Sequence, residues 1–281
     1  MKARLFSVLL VCALSLMNCS SPSSQVHDNQ LTSDEQSAGW RLLFDGKTLA
    51  GWEDPAAKSP AGDAWVVEDG CIKAVEKPRI REDLFTIDQF GDFELAFDWK
   101  ISSGGNSGVK YRIQDRVSLI KGKLNPDAKR FEDTVDYELR HRAGNRSGIP
   151  PGADYEEYAI AYEYQLIDND RHPDAGRNAD RSAGSIYSLV APVKPAVRPA
   201  GEFNESRIIL RGNHVQHWLN GAKIVDTSLD SPEIAKQLAE RWTTQSPVYE
   251  LLTKQPKKQT AIALQHHVDE VWFRNIKIRP L

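Results

Sequence analysis

From Trp40 onward, short apolar runs alternate with turn signals. Residues 93–100 keep a strict period of two: Phe93, Leu95, Phe97 and Trp99 face one way, Glu94, Ala96 and Asp98 the other. That period predicts a strand with one buried face. The same reading predicts strands at 40–44, 64–67, 108–113, 162–167, 184–189, 207–211, 214–219, 223–225, 262–266 and 271–278. Asp69-Gly70 and Asn220-Gly221 are hairpin turn pairs, because both residues tolerate positive φ. One helix is predicted. Ser231 can cap it, Pro232 suits its first position, and Ile234, Leu238 and Trp242 recur at helical spacing. Many short strands and one short helix predict a single all-β sandwich domain over 39–281.

Two stretches break the pattern. Residues 1–18 have Lys2 and Arg4 ahead of an apolar run from Leu5 to Leu16, too short to span a bilayer and read as a secretory leader. Leu16-Met17-Asn18-Cys19 resembles a bacterial lipobox, so Cys19 is the expected lipidation site and residues 19–38 a flexible tether. The expected location is the bacterial cell envelope, with the membrane reached only through that lipid. Residues 115–158, 17 of them charged, are expected to be an insertion over one end of the sheet, decorative or a substrate-side lid.

Composition narrows the classes. The 281 residues are 40% hydrophobic and 27% charged, with formal charge −3, mean hydropathy −0.50 and pI near 6.2. That is ordinary globular chemistry and excludes a broadly basic nucleic-acid binder. Of three cysteines, Cys12 leaves with the leader and Cys19 carries the lipid. Cys71 alone remains, which rules out an internal disulfide and a Cys-rich zinc site in the mature chain. Seven Trp, eight Tyr and nine Phe suit pleated sheet and sugar-binding surfaces.

Several segments carry candidate chemistry. In Asn106-Ser107-Gly108-Val109-Lys110-Tyr111-Arg112, strand alternation puts Lys110 and Arg112 on one face and Tyr111 on the other. Arg112 offers a planar fork for sugar oxygens or a carboxylate, or forms a surface ion pair. In the strand at 162–167, Glu163 and Gln165 share a face: a proton-transfer group beside an amide that can hold a hydroxyl. Asp168 closes this strand as a ligand or a turn cap. His172, in the loop that follows, could bind metal or substrate. Near 214–219, His217 belongs to the apolar face, which leaves Trp218 to stack on a sugar ring or pack in the core. His267 shares a face with Gln265 and can act as a base near neutral pH. Adjacent His266 points the opposite way.

Taken together, NSGVKYR, YEYQLIDND, HPD, AGSIYSLVAP, RGNHVQHWLNG and LQHHVDEVWFRNIKIRPL resemble the 3-keto-glucoside 1,2-lyase / 3-keto-2-hydroxy-glucal hydratase family, earlier described as 3-keto-disaccharide hydrolases. The resemblance runs from Trp40 to Leu281. It implies a concanavalin-like β-sandwich (jelly roll) and cleavage of a glucoside already oxidised at C3. A base would remove the acidic C2 proton, the C1 group would leave, and water would add to give 3-keto-glucose. On this reading Glu163 or His267 exchanges the proton, and Arg112 and Gln165 hold the ketone oxygen. Trp218 and Tyr111 frame the ring, with Lys110 and Asn106 also binding substrate. No cofactor is required; a divalent metal is an option, with Asp168 and His172 as ligands. A sugar 3-dehydrogenase would act upstream. The family pattern has Asp where His266 stands and Gly where Val268 stands. The alternatives are an ordinary glycoside hydrolase, which needs two carboxylates about 5–5.5 Å apart for retention or about 6.5–9.5 Å for inversion, and a non-catalytic carbohydrate-binding lipoprotein.

Overall fold

The structure is a computed structural model that describes residues 28–53, 63–78, 81–120, 136–138, 155–254 and 256–281. The leader 1–18, Cys19, and most of the expected insertion lie outside the described residues. The strands in chain order are β1 (Arg41–Leu42), β2 (Trp52–Glu53), β3 (Trp65–Glu68), β4 (Cys71–Ala74), β5 (Leu84–Thr86), β6 (Phe93–Ile101) and β7 (Asn106–Ile120). They continue as β8 (Asp136–Glu138), β9 (Tyr155–Ile167), β10 (Asn204–Arg211), β11 (His214–Leu219), β12 (Ala222–Ser228), β13 (Ala263–Leu264) and β14 (Val271–Pro280). The helices are α1 (Ser33–Ser37), α2 (Pro232–Arg241) and α3 (Pro247–Thr253).

Two antiparallel sheets face each other. One runs β12-β11-β10-β6-β14-β4-β3, with β1 on β14. The other runs β2-β5-β13-β7-β8, with β9 on β7. The alternation in β6 is realised: Phe93, Leu95, Phe97, Trp99 and Ile101 are buried in the core between the sheets. Val109, Tyr111, Tyr162, Tyr164 and Leu166 meet them from the second sheet. Both hairpin pairs form as expected, with positive φ at Asp69, Gly70, Asn220 and Gly221.

Differences from the sequence reading have local causes. Residues 184–189 form no named strand. They run along the edge of β9 through a bridge between Tyr164 and Ile186, folded over on itself by a second bridge from Ile186 to Val190. The two ends of the expected insertion, 115–120 and 155–158, are paired as the continuation of β7 and β9. Two helices join the predicted one. Helix α3 starts at Ser246-Pro247, the same capping signal as Ser231-Pro232. Helix α1 is short and sits in the stretch expected to be tether. Thr32 and Glu35 close a capping box, Glu35 pairs with Lys277 of β14, and Asn29 and Asn275 exchange backbone-to-side-chain hydrogen bonds of 2.6 and 2.9 Å. The last residues of the expected tether are thus strapped to the outer face of the first sheet.

Polar bonds cross the apolar core. Tyr111 Oη lies 3.0 Å from His217 Nε2, whose Nδ1 lies 2.9 Å from the Gly184 carbonyl. Tyr164 Oη lies 2.9 Å from Ser206 Oγ, which also accepts from Trp99 Nε1 at 2.8 Å. Burial disfavours the charged imidazole and depresses His217 to about 4, partly opposed by its backbone hydrogen bonds. Below the ordinary histidine value of about 6.5, the unfolded chain therefore takes up a proton that the folded chain refuses. The stability this histidine contributes should be lost as pH falls from about 6.5 towards 4. Urea unfolding of wild type and His217→Gln, compared at pH 7.5 and pH 5, should show the wild-type advantage shrinking by about 2 kcal/mol. A constant difference would contradict the buried neutral histidine.

Candidate active site

With Tyr162 and Tyr164 turned inward, Glu163 and Gln165 turn to the outer face of the second sheet. Lys110 stands opposite Glu163 in the β7–β9 register, and Gly108 opposite Gln165. On the other side of β7, Gln265 N–H donates to the Gly108 carbonyl at 2.8 Å, and Ser107 Oγ donates to the Gln265 carbonyl at 2.8 Å. Three adjacent chain segments thus bring Glu163, Lys110 and Gln265 together. Gly108 is needed for this, because a Cβ there would lie 2.1 Å from Glu163 Oε1. The glutamate folds across the space that a side chain would fill.

The electrostatics are graded. Lys110 Nζ donates to Asp83 Oδ2 at 2.7 Å, with both side chains almost wholly buried. Burial works against the ammonium, but Asp83 and Glu163 more than offset it and hold Lys110 above its ordinary value. Half-buried Glu163 accepts a long 3.4 Å hydrogen bond from Gln265 Nε2. Loss of water around its carboxyl pushes it up to about 7; Lys110 and His267 pull against this, and Asp83 adds to it.

Histidines form the next layer. The rings of His267 and His172 are 6.3 Å apart and roughly perpendicular, and His267 Nδ1 stands 3.9 Å from Asp269 Oδ2. His172 Nδ1 accepts the Asp174 N–H at 3.1 Å, which assigns the proton of the neutral ring to Nε2. Partial burial, then the neighbouring His267, hold His172 below its ordinary value. Asp174 also accepts from Tyr187 Oη at 2.7 Å and Arg181 Nη1 at 2.5 Å. Buried polar atoms are normally paired. Among the described residues, Gln165 Oε1, Gln265 Oε1, Ser185 Oγ and His267 Nδ1 are buried without a hydrogen-bond partner. Unspent hydrogen-bonding capacity around a carboxyl poised near neutrality marks a site built for a polar ligand.

A family model described as a 3-keto-alpha-glucoside-1,2-lyase-like domain matches residues 39–279. The chain belongs to this family. It is 31% identical over 259 residues, 86% of this chain and 79% of the relative, to a 3-keto-disaccharide hydrolase of Bacteroides thetaiotaomicron. Two crystal structures of candidate glycosyl hydrolases from Parabacteroides distasonis share the fold. The first has 27% identity and a TM-score of 0.67, covering 91% of this chain and all of that one. The second has 25% identity and a TM-score of 0.55, covering 86% and 99%.

Within this lyase-like domain, the structure gathers Glu163, Gln165, Asn106, Lys110, His267 and His172, but not the other expected residues. Tyr111 points into the core, fully buried against His217. Arg112 does not share the Lys110 face: a bulge begins after Tyr111, and Arg112 takes φ +54° and turns its guanidinium towards Gly212. Trp218 does point outward, but from the other sheet, into a groove shared with Asp28, Arg207 and Lys277. Asn106 acts by holding Gln165, whose Nε2 donates to Asn106 Oδ1 at 3.0 Å. Asp168 is a turn-former: its oxygens accept the Gly104 and Asp170 N–H groups at 2.8 and 3.0 Å, and its carbonyl accepts the His172 N–H. Those bonds occupy both Asp168 carboxyl oxygens, and the Asp174 N–H occupies His172 Nδ1, which leaves the protonated Nε2 of the neutral ring with no lone pair for a metal. Among the described residues no three His, Cys, Asp or Glu side chains group around a common ion position. The residues present do not fit the expected pair of ligands.

Sequence reasoning missed Asp83, whose loop has no periodic pattern, and Ser185, which read as structural. The two family departures now have physical content. His266 turns away from the site, with N–H bound to Asp83 Oδ1 and Nε2 2.9 Å from the Val75 carbonyl. Val268 takes φ +64°, a conformation costly for a β-branched residue and free for the family's glycine. Val268→Gly should therefore stabilise the domain by about 1 kcal/mol, the relief of strain exceeding the entropy that glycine adds to the unfolded chain. Chemical denaturation checks this, and a loss of stability would show that the Val268 backbone is not strained.

Proposed function

We propose that this domain cleaves glycosides whose sugar carries a ketone at C3, by elimination followed by hydration. The observation that supports this most is Glu163, a half-buried carboxyl held near neutrality beside His267 and opposite Lys110. A carboxyl so poised is a suitable base for a C–H proton acidified by an adjacent ketone. Glu163 takes the C2 proton. The electron pair forms the C1=C2 double bond as the C1–O bond breaks, and His267 supplies the proton that leaves with the departing hydroxyl. His172 Nε2–H donates to the C3 oxygen, where charge develops in the transition state. The unpaired Gln165 and Gln265 carbonyl oxygens accept sugar hydroxyls. Water then adds across the double bond, its oxygen to C1 and a proton to C2, so the net reaction is hydrolysis to 3-keto-glucose. A sugar 3-dehydrogenase must supply the substrate.

Offered matched 3-keto and unoxidised glucosides, the protein should release aglycone only from the 3-keto compound, with transient enone absorbance. Cleavage of the unoxidised sugar would favour an ordinary glycoside hydrolase; saturable sugar binding without turnover would favour a binding module. Glu163 must be ionised to act, so kcat/KM should fall about tenfold per pH unit below about 7. Glu163→Gln should lower kcat by about 10²–10⁴-fold. Retained turnover in that variant would remove Glu163 from the chemistry.

The proposal extends to location. The leader and lipobox-like Leu16-Met17-Asn18-Cys19 support a lipid-anchored protein of the bacterial cell envelope. In an expressing bacterium, labelled fatty acid should enter the wild-type protein and be absent from Cys19→Ala. Equal labelling of both would exclude Cys19 as the anchor.

A further inference from the structure

Arg112 lies outside the candidate active site. It lines a cavity of about 230 Å³ with Asn213, Asp230, Thr253, Lys254 and Lys258. Tyr162 shares this cavity. Because Tyr162 and Glu163 point to opposite faces of β9, the cavity opens on the core side of the strand that carries Glu163 outward. The Arg112 residue is only 3% exposed. Its Nη2 donates to the Gly212 carbonyl and stands 3.8 Å from Asp92 Oδ1. Among the described residues, its Nε and Nη1 are buried without a hydrogen-bond partner. Leaving two N–H groups of a buried cation unpaired is costly. The backbone that places them is itself in the left-handed region, at φ +54° for a residue with a side chain.

The rest of the cavity favours a negative guest. Lys258 is exposed at the rim, and Lys254 pairs with Glu250 across the helix surface. The one carboxylate in the wall, Asp230, is engaged by Asn213 Nδ2 at 2.6 Å and by Ser228 Oγ. Asp92 already accepts the Gly212 N–H at 2.9 Å. We propose that this cavity binds a small oxoanion, a phosphate or carboxylate group, through the Arg112 guanidinium, with Lys258 and Lys254 at its mouth. Either free group, Nε–H or Nη1–H, forms a planar fork with the second N–H of Nη2, and such a fork matches the paired oxygens of a phosphate or carboxylate.

Calorimetric titration of the purified protein with inorganic phosphate, and separately with acetate at constant ionic strength, tests this. One saturable site is expected for at least one anion. Tighter phosphate binding identifies a phosphorylated ligand, and tighter acetate binding a carboxylate. Arg112→Lys, which keeps the charge but loses the fork, should weaken binding roughly tenfold, as should Lys258→Glu at the exposed rim. Neither should change turnover of the glycoside. If Arg112→Lys fails to fold, Lys258→Glu decides the matter. Absence of saturable binding overturns the proposal. So does equal affinity in the variants, which would signify an adventitious ion only.

Discussion

Two hydroxyls crossing the core, Tyr111 to His217 and Tyr164 to Ser206, set the register of everything outside it. A purely apolar core would tolerate a strand sliding or repacking at modest cost. A buried hydroxyl or imidazole left without its partner loses far more than a shifted methyl group. A slip of one residue in β7 or β9 would strand these groups and turn every side chain to the opposite face. With Tyr162 and Tyr164 held inward, Glu163 and Gln165 must face out; with Val109 and Tyr111 inward, Gly108 and Lys110 must lie beside them.

The outer face then stores charge at low dielectric without leaving it uncompensated. Lys110 is neutralised by Asp83, and Asp83 in turn ties down the chain that leads to His267. Glu163 loses water by burial and receives a long hydrogen bond, while Lys110, His267 and Arg241 pull against the burial and Asp83 adds to it, so its proton stays exchangeable near neutral pH. Local rules are relaxed in the same places. Val268 is strained one residue after His267, and four buried polar atoms go unpaired around the carboxyl. Such departures from local consistency concentrate where a chain is shaped for a ligand.

Much of this was legible in the residues. The period-two runs located the long strands and assigned their faces, and the Asn-Gly and Asp-Gly pairs placed two turns. The signal for α3 was present in Ser246-Pro247, and that for α1 in Thr32 and Glu35. Both helices are short, with little apolar periodicity to support the caps. Glu163, Gln165 and His267 followed from face assignments that held. Arg112 did not, because a bulge is a backbone event that leaves no mark in alternation.

The sequence by itself determined which side of each strand is apolar, since that depends only on neighbours two residues away. It also determined the family, since ordered motifs survive without knowledge of their placement. Only the tertiary structure decided which outward faces meet. Trp218 and Glu163 both point away from the core, yet they sit on opposite sheets, and alternation within a strand carries no information about the layer it joins. Tertiary structure likewise set the poise of Glu163, because the water excluded from its carboxyl is displaced by segments remote in the chain. Charge and solvation act through space, and the spacing along the chain does not contain that distance.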